Sequence, residues 1–117
     1  MDGHNKIQET SKLFEKSRHE RIKEYITDKL STDLRAAVVS QKFELSVSSL
    51  QHLFKKHQGQ SYHHYLEETR MKKAFELIAL KGKRIKEAMY VTGYKRRSTF
   101  NRAFKRKYNH PPGYFLK

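Results

Sequence analysis

The sequence predicts an all-α protein in which a long linker helix joins two similar helical subdomains, with about seven helices in all. Three observations support this prediction. The 117 residues include only two prolines and five glycines, so few turns are expected. Apolar residues recur at helical spacing, and no stretch shows the sustained alternation that is typical of strands. Finally, the second half of the chain resembles the first at an offset of about 50 residues.

The first helix is predicted over about 18–30, because Ser17 and Glu20 form a capping-box pattern ahead of apolar residues at helical spacing. Residues 1–16 are polar and show no periodicity apart from one adjacent Leu-Phe pair. We therefore expect them to form a flexible N-terminal tail or linker.

The second and third helices are predicted from their end residues. Asp33 can cap a second helix that ends near Phe43, and Ser46 can cap a third helix that stops before Gly59. Ser61 can cap a longer fourth helix over about 62–80. The remaining predicted elements are a break at Lys81-Gly82-Lys83, a fifth helix ending at Gly93, a sixth helix over about 98–107 and a short turn after Pro111-Pro112.

The internal repeat gives the predicted subdomains a recognisable form. Residues 48–56 match residues 98–106, and Gly59 matches Asn109, the usual non-glycine residue in a left-handed conformation. Each copy is a helix, a tight turn and a helix, which is the helix-turn-helix motif. An alternative is that two amphipathic helices share this spacing by chance. The predicted organisation is a tail (1–16), a first module (17–60), a linker helix (61–82) and a second module (83–117).

Positive charge is concentrated in the second module. Residues 81–117 contain twelve Lys and Arg residues and one acid, whereas the other eighty residues contain 14 bases and 11 acids. A surface this basic attracts polyanions, and nucleic acid is the expected one. The alternative is a merely adhesive basic surface like that of a ribosomal protein.

Several other classes of function are disfavoured. The chain has no cysteine, so thiol nucleophiles, disulfides and cysteine-ligated zinc are excluded. We find no secretion signal, no apolar run long enough to span a membrane and no catalytic motif, and the histidines lack metal-ligand spacing. We therefore expect a cytoplasmic, non-enzymatic protein without a cofactor or a metal.

Residues from about 22 to the C-terminus resemble the DNA-binding domain of the AraC/XylS family of bacterial transcription regulators. The resemblance rests on residues 43–59, on spaced positions of the linker helix and on the second module. The most specific positions are Ile85-Lys86-Glu87-Ala88, Gly93-Tyr94, Phe100-Asn101-Arg102-Ala103-Phe104-Lys105, Pro112 and Phe115. The resemblance implies two helix-turn-helix modules that place recognition helices in successive major grooves of promoter DNA.

By position, the resemblance assigns base reading to Ser48, Gln51 and His52 in the first module and to Arg97, Ser98, Asn101 and Arg102 in the second. Gln and Asn can pair with both adenine N6 and N7, whereas Arg suits guanine O6 and N7. Three positions depart from the family pattern. Glu44 replaces a turn glycine, Lys95 replaces a small capping residue, and His52 replaces a long basic residue.

Phosphate binding is predicted for a further set of cations. Several of them precede helix N-termini, where the helix dipole disfavours positive charge unless an anion is bound. The predicted phosphate contacts are Lys55, Lys56, Lys83, Arg84, Lys95, Arg96 and Lys105.

Besides double-stranded DNA, the resemblance suggests RNA polymerase and a separate sensor domain as partners. The chain is expected to be either a stand-alone regulator or the C-terminal piece of a larger one. The competing function is a non-specific architectural nucleic-acid-binding protein, for which charge alone would suffice.

Overall fold

The computed structural model describes the backbone of residues 3–116 and the side chains of residues 13–116. In this part of the chain every regular element is helical, which confirms the predicted fold class. The α-helices are α1 (Gly3–Asp28), α2 (Ala36–Lys42), α3 (Val47–Gln58), α4 (Tyr62–Phe75), α5 (Ile85–Val91) and α6 (Arg97–Tyr108). A π-helical segment (Glu76–Leu80) extends α4, and a 3-10 turn (Pro112–Phe115) follows α6.

Two separate hydrophobic cores underlie the two modules, and the linker helix contributes to both. The first core contains Ile22, Ile26, Leu30, Leu34, Val39, Leu50, Leu53, Phe54, Tyr62 and Leu66. The second contains Met71, Ala74, Leu77, Ile78, Ala88, Met89, Phe100, Ala103 and Phe104. The N-terminal half of α4 thus packs with α1–α3, and its C-terminal part packs with α5 and α6. The helical stretch 62–80 has 19 residues and is about 28 Å long at roughly 1.5 Å per residue.

Helix α1 begins well before the predicted start. It runs from Gly3, so the predicted helix start at about residue 18 is corrected, and Ser17 lies inside the helix instead of capping it. No apolar stripe marked this extension. Among its described side chains, Glu15 forms a 2.6 Å ion pair with Lys56 of α3. One turn later, His19 is buried against α3.

The predicted cap at Asp33 is also corrected. The N-cap of α2 is Arg35, which has no side-chain cap hydrogen bond of its own. Asp33 instead accepts hydrogen bonds from the Arg35 backbone N–H at 3.1 Å and from the Arg35 guanidinium at 2.7–3.1 Å. The carboxylate therefore forms a local turn with its neighbour and does not start a helix.

The other two predicted caps are confirmed. The Ser46 hydroxyl accepts a hydrogen bond from the Ser49 N–H at 3.0 Å, and the Ser61 hydroxyl accepts one from the His64 N–H at 3.1 Å. Both serines therefore satisfy an N–H group that would otherwise lack a partner at the start of a helix.

The turn between α2 and α3 keeps its shape although Glu44 replaces the glycine of the family pattern. Glu44 has a φ of 56°, and the equivalent turn of the second module has Gly93 at a φ of 84°. The Leu45 N–H donates to the Ser40 carbonyl at 2.8 Å, which closes the turn. A glutamate in this left-handed region costs about 1–2 kcal/mol, which the surrounding packing must offset.

His19 should make the stability of the first module depend on pH. Its ring is 4.9 Å from Phe54 and 5.4 Å from His57. Burial lowers the pKa of His19 below 6.5, and the charges of Lys23 and His57 lower it further, against opposing effects of Glu20 and a Gln58 hydrogen bond. Unfolded His19 binds a proton more readily, so the free energy of unfolding should fall as the pH drops through 6.5.

Urea unfolding at pH 7.5 and 5.5 measures this loss of stability. We expect the loss to be smaller in a His19→Leu variant, which cannot be protonated at this position. An equal loss in both proteins would assign the pH dependence to other groups.

Candidate nucleic-acid interface

The predicted recognition helices α3 and α6 are built alike. Each has 12 residues, and each is followed by a residue in the left-handed conformation, Gly59 at a φ of 73° and Asn109 at 66°. The Gly59 N–H donates to the Lys55 carbonyl at 3.2 Å, and the Asn109 N–H donates to the Lys105 carbonyl at 2.7 Å. The sequence repeat therefore corresponds to a repeat of structure.

Five of the seven predicted base-reading residues are exposed. Ser48 and His52 lie on the outer face of α3, and Arg97, Ser98 and Arg102 lie on that of α6. The inner faces of the two helices are held by Leu50, Leu53 and Phe54 and by Phe100, Ala103 and Phe104. Each helix thus presents one polar side to solvent.

Gln51 lies at the edge of this polar side and has a structural role. It is half-buried, and its Oε1 accepts a 3.1 Å hydrogen bond from the backbone N–H of Tyr62, the first residue of α4. The predicted pairing with adenine through both amide atoms would require this hydrogen bond to break, because the oxygen is already engaged. Gln51 instead fixes the start of the linker helix to α3.

Asn101 occupies the repeat-equivalent position, but its partner is missing. The residue equivalent to Tyr62 is Pro112, which has no N–H to donate. The Asn101 Oδ1 is buried, and among the described residues it has no hydrogen-bond partner. Adenine pairing through both amide atoms would therefore require the Asn101 side chain to turn outward, because this oxygen does not reach the surface.

These two amides give a matched pair of stability predictions. Gln51→Ala should lower the free energy of unfolding by about 1–2 kcal/mol, because it leaves the Tyr62 N–H unsatisfied. Asn101→Ala should be neutral or stabilising, because it removes a buried oxygen that lacks a partner. Urea unfolding of both variants tests the contrast, and equal losses would contradict it.

All seven predicted phosphate-binding cations are exposed. Lys95 and Arg96 lie with Arg97 at the start of α6, where the N-cap Arg96 provides no side-chain cap. The other five of the set are Lys55, Lys56, Lys83, Arg84 and Lys105. The Lys56 ammonium differs from the rest because Glu15 already neutralises it.

One cation at an equivalent position was missed by the sequence analysis. Arg35 is the N-cap of α2 and corresponds to Arg84, the N-cap of α5. Upstream of the turns the two copies match at an offset of 49, because the second copy has one extra residue in its turn. The hydrogen bonds from Arg35, together with the charges of Arg35 and Lys95, lower the pKa of Asp33 to about 2. Asp33 therefore stays charged and neutralises Arg35, so the first module has less free positive charge than the second.

Two surface grooves run beside the recognition helices at equivalent positions. One lies between α1 and α3, and the other lies between α4 and α6. Eight positions of their linings correspond across the repeat: Phe14/His63, Ser17/Leu66, Arg18/Glu67, Arg21/Arg70, Leu45/Tyr94, Ser49/Thr99, His52/Arg102 and Leu53/Ala103. The repeat therefore extends upstream to α1, and each module is a unit of three helices. Only Arg21/Arg70 is an identity, so comparison of the sequences alone did not detect this part.

Contacts around Arg70 fix the position of one module relative to the other. Its Nη2 donates to the carbonyls of Thr32 at 3.2 Å and of Leu30 at 3.4 Å, and its guanidinium is 5.8 Å from the Tyr94 ring. Gly93 lies in the same junction, and a Cβ on it would be 2.4 Å from the Leu30 oxygen. The turn of the second module thus packs directly on the end of α1.

Comparison with known families identifies this architecture. A family model described as a helix-turn-helix domain, of the AraC type, matches residues 39–117. The chain belongs to the AraC-type helix-turn-helix family. Proteins of this family are DNA-binding transcription regulators. Among the described residues, no helix of this AraC-type protein is long and apolar enough to cross a membrane.

Curated relatives support the assignment. The chain is 34% identical over 83 residues to the helix-turn-helix-type transcriptional activator Btr of Bacillus subtilis (strain 168). It is 29% identical over 93 residues to YijO of Escherichia coli (strain K12), named as an uncharacterized transcriptional regulator of the same type. These matches cover 71% and 80% of this chain but 16% and 33% of the relatives. The chain thus spans a third or less of their length.

Solved structures agree with the fold. The C-terminal domain of AraT, a response regulator from Geobacillus stearothermophilus, matches with a TM-score of 0.78 and 29% identity, covering 84% of this chain and 82% of that one. The C-terminal domain of the two-component response regulator yesN from Fusobacterium nucleatum matches with a TM-score of 0.77 and 27% identity, covering 84% and 96%.

Proposed function

We propose that this chain binds a specific site in double-stranded promoter DNA and regulates transcription, with α3 and α6 in successive major grooves. The observation that carries the proposal is the repeated three-helix unit, which presents an exposed polar helix face twice on one linker helix. Successive major grooves on one side of DNA are about 34 Å apart, and a linker about 28 Å long suits that separation.

Base reading is assigned to the exposed residues of these faces. In α6, Arg97 and Arg102 are proposed to bind guanine or phosphate, and Ser98 is proposed to contact a base or the backbone. In α3, Ser48 and His52 take the corresponding positions. Gln51 and Asn101 are left out of the base-reading set because their amide oxygens are turned inward.

The phosphate contacts are proposed to be unequal between the modules. Lys83, Arg84, Lys95, Arg96 and Lys105 act in the second module, where the dipole of α6 also favours an anion at its N-terminus. In the first module the proposed phosphate contacts are Lys55 and Lys56. Lys56 would give up its ion pair with Glu15 to bind the phosphate. The second module therefore supplies most of the non-specific attraction to DNA.

RNA polymerase and a sensor region are also part of the proposal. One relative is named as an activator, and the relatives are several times longer than this chain. We place the protein in the cytoplasm, where bacterial promoter DNA is located.

Selection of bound duplexes from a random-sequence pool, followed by footprinting, tests the function. We expect two protected segments about one helical turn apart and an affinity at least roughly 10³-fold higher for selected than for random DNA. A ratio below about tenfold would favour the non-specific architectural protein instead. A single protected segment would contradict the use of both helices.

A further inference from the structure

We propose that α1 is a third DNA-contacting element, in which Arg18 and Arg21 bind the phosphate backbone beside the major groove that α3 enters. The inference rests on the proposed function, because it takes the outer face of α3 to be the side that meets the bases. Helix α1 lies outside residues 39–117, which match the family model.

The position of the two arginines supports this role. They form one wall of the groove between α1 and α3, and Ser48, Ser49 and His52 form part of the other wall. A helix inserted into the major groove has a sugar-phosphate strand along each side. One of these DNA strands would pass through the protein groove between α1 and α3. Half to two-thirds of the hydrogen bonds in protein–DNA interfaces go to phosphate and sugar, so such a strand needs protein partners.

Three of the four acids among residues 13–28 lie away from the groove. Arg18 and Arg21 line the groove together with Glu15, which is paired with Lys56. Glu20, Glu24 and Asp28 line a separate surface with Tyr65 and with Lys23, which forms an ion pair with Glu20. The three acids are spaced four residues apart and therefore share one face of the helix. Because Lys56 pairs with Glu15, the two arginines are the charges of α1 that remain for a polyanion at the groove.

Both guanidinium groups are available for a ligand. Arg18 and Arg21 are exposed, and no ion pair or side-chain hydrogen bond within the described part of the chain engages either of them. The neighbouring cations of the first module are less available, because Glu15 holds Lys56 and Asp33 holds Arg35. The two arginines would therefore add phosphate contacts to a module whose other proposed contacts are Lys55 and Lys56.

The test is the salt dependence of DNA binding in the full chain. The probes are a duplex selected by the wild-type chain from a random pool and a random duplex of the same length. For R18Q/R21Q we expect the slope of log K against log salt to become shallower by about 1.8, or about 0.9 for each lost phosphate contact. Both duplexes should lose affinity by the same factor, about tenfold or more at 0.1 M salt.

Two further variants separate this role from general effects of charge or folding. K16Q/K23Q removes two positive charges from α1 outside the lining of the groove, and we expect it to keep the wild-type slope. R18K/R21K keeps the charge, and we also expect it to keep the slope.

Three outcomes would overturn the inference. If wild type selects a specific site but R18Q/R21Q keeps its slope, α1 does not contact DNA and the proposed function stands. If R18Q/R21Q and K16Q/K23Q lose slope equally, only net charge matters. If the wild-type chain selects no site at all, the proposed function fails together with the inference.

Discussion

Replacing Gly93 with alanine is expected to destabilise the protein by about 3 kcal/mol or more. Gly93 has a φ of 84°, where an L side chain costs about 1–2 kcal/mol. The added Cβ would also lie 2.4 Å from the Leu30 carbonyl oxygen and 3.0 Å from the Arg70 Nη2. The Leu30 oxygen belongs to backbone and cannot rotate away, so the end of α1 and the second turn must separate. Thermal unfolding should show a midpoint lower by about 10–20 °C.

Gly82→Ala is the matched control for this substitution. Gly82 has a φ of 64°, but a Cβ there would meet nothing within 4 Å, so only the backbone cost of about 1–2 kcal/mol applies. The difference between the two variants isolates the contact between the modules. Equal losses would mean that packing of Gly93 on Leu30 contributes nothing to stability. DNA binding should distinguish them as well, because only Gly93→Ala disturbs the separation of the two recognition helices.

The helices that bury an apolar face along their whole length were predictable from the sequence, and α1, which buries Ile22 and Ile26 in its C-terminal half, was only partly predictable. Leu50, Leu53 and Phe54 recur at helical spacing between Ser46 and Gly59, so pattern and end residues agree for α3. The N-terminal half of α1 has no such face, and its Leu13 and Phe14 are 66% and 73% exposed. The described contact of this half with α3 is the Glu15–Lys56 ion pair, which joins residues about forty positions apart and leaves no local pattern in the sequence.

The candidate site was predictable as a surface but not in every residue. Helical spacing places residues 48, 51 and 52 on one side of α3. It does not indicate which of these side chains contacts another part of the chain. Gln51 turns inward because the Tyr62 N–H needs an acceptor, and that need arises only when α4 starts beside α3. The Pro112 that replaces this donor in the second module was visible in the sequence. However, Pro112 distinguishes the environment of Asn101 from that of Gln51 only once the hydrogen bond between Gln51 and the Tyr62 N–H is known.

Arg102→Ala is expected to cause the largest loss of DNA specificity among the exposed residues. Arg102 lies on the outer face of α6, and it lines the groove beside α4 at the position where the first module has the shorter His52. A guanidinium bound to guanine O6 and N7 contributes about 1–3 kcal/mol of discrimination. Affinity for a selected duplex should therefore fall by roughly 5- to 150-fold, while affinity for random DNA falls much less. Fluorescence anisotropy with both duplexes measures the two losses.

Lys105→Ala provides the matched control on the same helix, because it also removes one exposed positive charge. If Lys105 binds only phosphate, its loss should weaken both duplexes alike and make the salt slope shallower by about 1. The two variants then separate base reading from charge, since only Arg102→Ala should change the ratio of selected to random affinity. If Arg102→Ala also left that ratio unchanged, the outer face of α6 would not read bases, and sequence preference would have to arise from α3 or from DNA shape.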